Sequence, residues 1–224
     1  MTCTVCERGQ VQPFRAIGRQ AYHRCPVCQA TLMAPESRLD ADAEQAVYAL
    51  HDNAVDDPGY RAFLRRLADP LCEQLSPGAV GLDFGCGPGP ALARMLETDG
   101  FSMRLYDPFF YRDDAALATT YDFITCTEVV EHLHSPAEVF RTLHDLLRPD
   151  GWLGIMTCFQ TDDDRFDRWH YRRDPTHVVF YREATFHWLA AAWGWHLEIP
   201  RKDVVLMRKP VAQGAAGHAG NVPG

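Results

Sequence analysis

The chain has 224 residues, enough for one ordinary domain with a small appendage. With 46% hydrophobic and 23% charged residues it reads as a globular protein, and no run of eighteen apolar residues offers a membrane span. The formal charge of −8 argues against a broad basic footprint for nucleic acid, and the opening MTCTVCERGQ lacks the apolar core of a secretion signal, so a cytoplasmic protein is expected.

In such a chain, eight cysteines are read as metal ligands and small core residues rather than as disulfides. Four of them form Cys3-x-x-Cys6 and Cys25-x-x-Cys28, eighteen residues apart. Each pair can present two thiolates from one tight turn, and two turns supply the four sulfurs that structural zinc takes. The stretch between them carries Val11, Phe14, Ile17 and Tyr22, which suggests a small hairpin, so residues 1–38 are expected to be a zinc ribbon. His23 is surplus to a complete four-sulfur shell. Cys72, Cys86, Cys126 and Cys158 share no such spacing and are expected as small buried hydrophobes.

Residues 39–78 form a helical linker. One apolar stripe runs through Ala43, Ala46, Val47 and Leu50, and a second through Tyr60, Phe63, Leu64, Leu67 and Leu71. Between them His51-Asp52-Asn53 is loop-like, and Asp57-Pro58 reads as the cap and first position of the second helix.

Ala79 to Phe84 is a short apolar strand that runs into Gly85-Cys86-Gly87-Pro88-Gly89, followed by a helix patterned on Leu92, Met95 and Leu96. A strand, a glycine loop and a helix bring backbone N–H groups close to a ligand. The dinucleotide fingerprint fails at Pro90 and the Gly-Lys-Ser/Thr of a phosphate loop is absent, so a less anionic nucleoside ligand suits the loop better. Phe101 to Tyr106 reads as the next strand. Asp107 ends it, eighteen residues after Gly89, where a carboxylate can accept hydrogen bonds from ribose hydroxyls. Tyr121 to Thr127 is another strand, followed by Glu128-Val129-Val130-Glu131-His132. Ser135-Pro136-Ala137-Glu138 reads as a capping box opening a helix, and Trp152 to Phe159 as the strand after it. This alternation predicts an α/β fold with a doubly wound, mostly parallel sheet.

The segments LDFGCGPGP, YDPFF, YDFITCTEVVEHL and LLRPDGWLGIMT together resemble the class I S-adenosylmethionine-dependent methyltransferases over roughly residues 79–209. That resemblance implies a Rossmann-like methyltransferase domain with a seven-stranded sheet, and S-adenosylmethionine as cofactor. By the same resemblance Asp83, Gly85, Cys86, Gly87 and Gly89 lie along the methionine part, and Asp107 holds the ribose. Pro108 and Phe109 flank the adenine, and Thr127 and Glu128 sit beside the donor. Only eleven residues, Phe110 to Thr120, precede the next strand, which leaves Asp113 and Asp114 as the candidates for the adenine amine. The ribbon resembles that of several bacterial methyltransferases, some acting on sugars and some on ribosomal RNA. The stretch Trp169 to His177 is similar to a ribbon-bearing branch related to quinone methylases.

From Thr161 to Tyr181 aromatic residues interleave with charges, which points to a lid over the acceptor site rather than a free loop. Candidate bases are His170, His177 and His132, with His134 nearby. A helix on Phe186 and Leu189 and a terminal antiparallel hairpin follow; residues 210–224 read as a disordered tail. Residues 1–38 hold five arginines against two glutamates, a net of +3, so the remainder carries −11. Four thiolates on zinc bring the ribbon near +1, a poor footprint for phosphates. The expected activity is therefore methyl transfer to a small-molecule acceptor such as a sugar, quinone or aromatic hydroxyl. A zinc-ribbon RNA methyltransferase is the alternative, and a non-catalytic nucleoside-binding module a third.

Overall fold

The computed structural model describes residues 1–48 and 55–211; the expected loop at His51–Asn53, Leu50 of the first stripe and residues 212–224 of the expected tail lie outside the described residues. The N-terminal hairpin forms as expected from β1 (Gln12–Ile17) and β2 (Gln20–Arg24), with β3 (Thr31–Met33) antiparallel to β2. The fourth strand of this sheet comes from far along the chain. β8 (Val179–Phe180) pairs antiparallel to β3, setting Thr31 opposite Phe180 and Leu32 opposite Val179. The ribbon and the aromatic segment after residue 160 therefore share one sheet.

The second sheet has the order β5-β4-β6-β7-β10-β9. β4 (Val80–Phe84), β5 (Ser102–Tyr106), β6 (Tyr121–Thr127) and β7 (Leu147–Met156) are parallel; β10 (Val204–Arg208) and β9 (His196–Arg201) close one edge as an antiparallel hairpin. Six strands are present among the described residues where seven were expected. A parallel crossover needs a dozen or more residues, and the span between β5 and β6 is used up by a loop and one short 3-10 turn at Ala116–Ala118.

Strand residues alternate between the two faces. Phe123, Trp152 and Leu206 pack with α2 (Pro58–Cys72) and α3 (Ala91–Thr98), whereas Ile124, Leu153 and Val205 join the core holding α4 (Pro136–Leu146) and α5 (Glu183–Trp193). Asp57 caps α2 as expected, accepting from the Tyr60 amide at 2.6 Å. The capping box at Ser135 does not form. The Ser135 side chain makes no cap hydrogen bond; instead the Ala137 amide in the first turn of α4 donates to the Thr4 carbonyl at 3.1 Å, so the ribbon satisfies this helix end.

Candidate active site and four-cysteine site

The two cysteine pairs fold as matching turns. Glu7 N donates to Cys3 O at 2.9 Å and Gln29 N to Cys25 O at 3.0 Å, and both Glu7 and Gln29 adopt positive φ (53° and 65°). Cys3 Sγ lies 3.6 Å from Cys28 Sγ, and Cys6 Sγ 3.5 Å from Cys25 Sγ. Two sulfurs bound tetrahedrally at 2.3 Å would be about 3.8 Å apart, so this buried cluster has the size and donor chemistry of a structural zinc site.

A cavity of about 770 Å³ opens at the carboxyl ends of β4, β5 and β6. Its floor is the glycine loop. Gly85 and Gly87 have positive φ (76° and 64°), and a side chain at Gly85 would run into Val129 at 2.4 Å. Gly89 needs no such freedom. The Asp107 carboxylate accepts from the Gly87 amide at 3.0 Å and from the Phe109 and Phe110 amides at 2.8 and 3.0 Å. It stands at the end of β5, as expected, and ties two cavity loops together.

Asp83 is buried, accepts from Thr125 Oγ1 at 2.7 Å, and is pushed up to about 6 by burial. Burial, with Asp83 and Asp107 close by, also pushes the Cys86 thiol up. Asp83, Gly85, Cys86, Gly87, Gly89, Asp107, Pro108, Phe109, Thr127 and Glu128 all line this one cavity. Thr127 Oγ1 is buried with no protein partner among the described residues, an orphaned group that a polar ligand would satisfy. These features fit a nucleoside with a charged amino-acid tail. Asp113 and Asp114 do not line the cavity: Asp113 faces Arg104 at 3.6 Å and accepts from the Ala115 amide, outside the pocket. The short β5–β6 connection thus places neither of these carboxylates on the cavity.

The opposite end is built by the 3-10 turn Val130–His132, by α1 (Ala41–Tyr48), and by the segment around His177. Glu128, in a left-handed conformation (φ 51°) at the end of β6, is pushed up to about 9 by burial and by Glu131. Glu131 is fully buried and accepts from Tyr171 OH at 2.5 Å and Thr157 Oγ1 at 3.0 Å. His132 and His177 meet with ring centroids 4.6 Å apart. His132 Nδ1 lies 3.2 Å from the Thr176 carbonyl and His177 Nδ1 2.7 Å from the Tyr171 carbonyl, so each Nδ1–H donates to backbone. Burial holds His132 below its usual range.

His170 lines the rim and is exposed, while His134 faces Glu44 at 3.6 Å. Of the candidate bases, then, the fold brings together two. The residues missed from sequence are Glu131 and Tyr171. Glu131 next to His132 at a strand end was the available signal, but it read equally well as a helix cap.

The aromatic segment packs mainly on the ribbon. Phe166 is buried against Phe14, Tyr22 and Phe180, with centroids 5.0–5.3 Å away. It reaches the cavity through His170, Tyr171, Asp174 and His177.

The model of a family described as a methyltransferase domain matches residues 57–198, more than half of the chain. A ubiquinone biosynthesis O-methyltransferase from Actinobacillus pleuropneumoniae serotype 5b (strain L20) is 29% identical over 86 residues, which is 37% of this chain and 37% of that protein. A 1,6-didemethyltoxoflavin-N1-methyltransferase from Burkholderia thailandensis, solved with 1,6-didemethyltoxoflavin and S-adenosylhomocysteine, superposes with a TM-score of 0.53 at 21% identity, covering 89% of this chain and 99% of that one. A magnesium protoporphyrin IX methyltransferase from Synechocystis PCC 6803, solved with S-adenosylhomocysteine, gives 0.50 at 15% identity over 75% and 93% of the two chains. These two likenesses speak to the fold, a Rossmann-like methyltransferase sheet.

Proposed function

This chain belongs to the methyltransferase domain family, and from that premise we propose that it transfers the methyl group of S-adenosylmethionine to a hydroxyl of a small-molecule acceptor of the quinol or aromatic type, on a scaffold that includes a structural zinc ribbon. One observation carries the reading. A single cavity joins the glycine-loop floor, with Asp107 and the orphaned Thr127 hydroxyl, to a buried imidazole pair at its other end. Its 770 Å³ lies in the usual range for small-molecule sites.

Bound in the loop, the cofactor supplies a sulfonium methyl that is displaced in line. The protein's part is alignment and exclusion of water. The Asp107-tied loops fix the nucleoside end. His132 and His177, with Glu131 buried behind them, form the polar wall that receives the acceptor hydroxyl, and Tyr48 closes over His132 edge-on at 5.3 Å between centroids. The co-crystallised product in the two solved methyltransferases and the quinone chemistry in the name of the curated relative support the cofactor and the acceptor class.

Part of the ribbon's charge is engaged within the chain. Arg15 and Arg24 pair with Asp163, Asp164 and Asp167, Arg38 donates to the Met33 carbonyl, and Arg8 lies over Trp188. The pairing of Arg15 and Arg24 with carboxylates shrinks an already small basic footprint and favours a small acceptor over RNA. The test is transfer of labelled methyl from S-adenosylmethionine into a cell extract that is then split into RNA, protein and small-molecule fractions. Label is expected in the small-molecule fraction; label confined to RNA or protein overturns the acceptor class.

A further inference from the structure

We infer that Glu131, His132 and His177 bind one divalent first-row metal ion at the acceptor end of the cavity, with the acceptor hydroxyl as its exchangeable ligand. The second half of this rests on the reading of the cavity as a methyl-transfer site for a hydroxyl; the ion site itself does not.

The donor atoms converge. A carboxylate oxygen of Glu131 and one ring nitrogen from each histidine all lie within 4.8 Å of one another, and Glu131 Oε1 is 4.0 Å from His132 Nε2. That is too long for a hydrogen bond. Two ligands held tetrahedrally at about 2.1 Å would be about 3.4 Å apart, so closing on an ion takes side-chain shifts of about an ångström.

The orientation is more telling than the distances. Each histidine commits its Nδ1–H to a backbone carbonyl, Thr176 O or Tyr171 O, which leaves each Nε2 lone pair free. This is how metal-binding imidazoles are held by their outer partners. Glu131 is held the same way, by the hydroxyls of Tyr171 and Thr157. Two imidazoles, each with a ring nitrogen not committed to backbone, and a carboxylate buried behind them therefore converge at the cavity wall. Asp174 Oδ2, 3.9 Å from His177 Nε2, adds another acceptor. Among the described residues, no cationic side chain lines this cavity apart from the histidines themselves. A cation is what that arrangement lacks.

Two imidazoles and one carboxylate suit first-row transition ions better than magnesium or calcium, which take oxygen ligands. Three protein ligands also leave positions open toward the cavity, as in catalytic rather than structural sites. An acceptor hydroxyl bound there loses its proton to water, because the ion stabilises the oxyanion. The oxyanion attacks the methyl carbon, the C–O bond forms as the S–C bond breaks, and the electron pair stays on sulfur as a neutral thioether.

The test uses the full chain with zinc in its four-cysteine site, titrated with Co2+ and followed by absorption. A nitrogen–oxygen site gives weak visible bands, whereas exchange into the cysteine site gives the strong near-ultraviolet sulfur-to-cobalt band. We expect one further equivalent of Co2+ per chain, with visible bands only. H177Q should bind it at least about tenfold more weakly, and H177D, which keeps a ligand, should retain it, both with unchanged S-adenosylhomocysteine affinity as the check on folding. Absence of a second equivalent, or Co2+ affinity unmoved by H177Q, overturns the site. If Co2+ binds as expected but label enters no hydroxyl acceptor, the ion site stands and the proposed reaction fails. If hydroxyl methylation proceeds and no second equivalent binds, the reaction stands and the ion site fails.

Discussion

The two ends of the cavity are held by different physics. The glycine-loop end rests on β4, β5 and β6, consecutive parallel strands whose flanks are filled by aliphatic burial from α2 and α3. The histidine end is braced by segments far apart in sequence: Thr31 Oγ1 donates to Gln160 at 2.7 Å, Arg24 to Asp163 at 2.8 Å, and Arg172 to Tyr22 OH at 3.1 Å. Between these bonds lie the Phe166 ring cluster and the shared β3–β8 pairing, all anchored to the four-cysteine turns. The difference teaches that the ribbon braces the segment that carries His170 to His177 into the cavity wall and is not an independent appendage. Damage to it should leave the cofactor end largely intact, and the converse should also hold.

The harshest way to break this division is to remove the metal expected at the cysteines. Structural zinc binds small peptides with roughly 10–16 kcal/mol, so C25A should show the largest loss of stability of any variant considered. Zinc should fall from one equivalent by elemental analysis, and the near-ultraviolet circular dichroism of the ribbon aromatics should be lost. S-adenosylhomocysteine affinity measured by calorimetry should move less than about threefold, because that loop sits on the other framework. A complete loss of cofactor binding would show that the two ends fold as one unit.

Next in size is F166A. Emptying the space among Phe14, Tyr22 and Phe180 should cost about 3–5 kcal/mol in urea denaturation. It should weaken acceptor binding more than cofactor binding.

On the other side of the division, Asp83 gives a pH signature. Its carboxyl is pushed up to about 6 by burial, from an ordinary 3.8, so between those values the folded chain holds a proton that the unfolded chain has released. Its contribution to stability is thus full below about pH 4 and is lost as pH rises through 6. D83N should abolish that slope, a difference of up to about 3 kcal/mol between pH 4 and 7 when the two stability profiles are subtracted.

The smallest effect is expected for D107A. Three amides lose their acceptor, and S-adenosylhomocysteine affinity should fall by about 2 kcal/mol, roughly thirtyfold. The ribbon spectrum should not change. An unaltered affinity would mean that Asp107 shapes the loops without touching the ligand.

Much of this was legible in the sequence because it is local. The Cys-x-x-Cys spacing, the glycine loop followed by its helix, the carboxylate ending β5, the Asp57 cap and the terminal hairpin each depend on residues within a few positions of one another. Short-range geometry determines what such residues can do wherever the rest of the chain goes. The seven-stranded sheet expected from the resemblance was an overcount: among the described residues six strands form, since eleven residues between Asp107's segment and β6 are too few for a strand and its crossover.

Tertiary structure alone decided the rest. The Ser135 box looked complete in sequence, yet the Thr4 carbonyl from the opposite end of the chain took its place. The aromatic run after Thr161 looked like a lid and packs as a wall, because β3 offered it an unpaired edge and Phe14 and Tyr22 an apolar face. His132 and His177 are 45 positions apart, and nothing in their spacing announces that they stand face to face with a buried Glu131 between Tyr171 and Thr157. The sequence by itself determined the strand, glycine loop and helix unit and the pair of Cys-x-x-Cys turns, since both are local chemistry. Which titratable groups share one low-dielectric space was decided only by long-range packing, because that depends on how separate segments bury their apolar faces together.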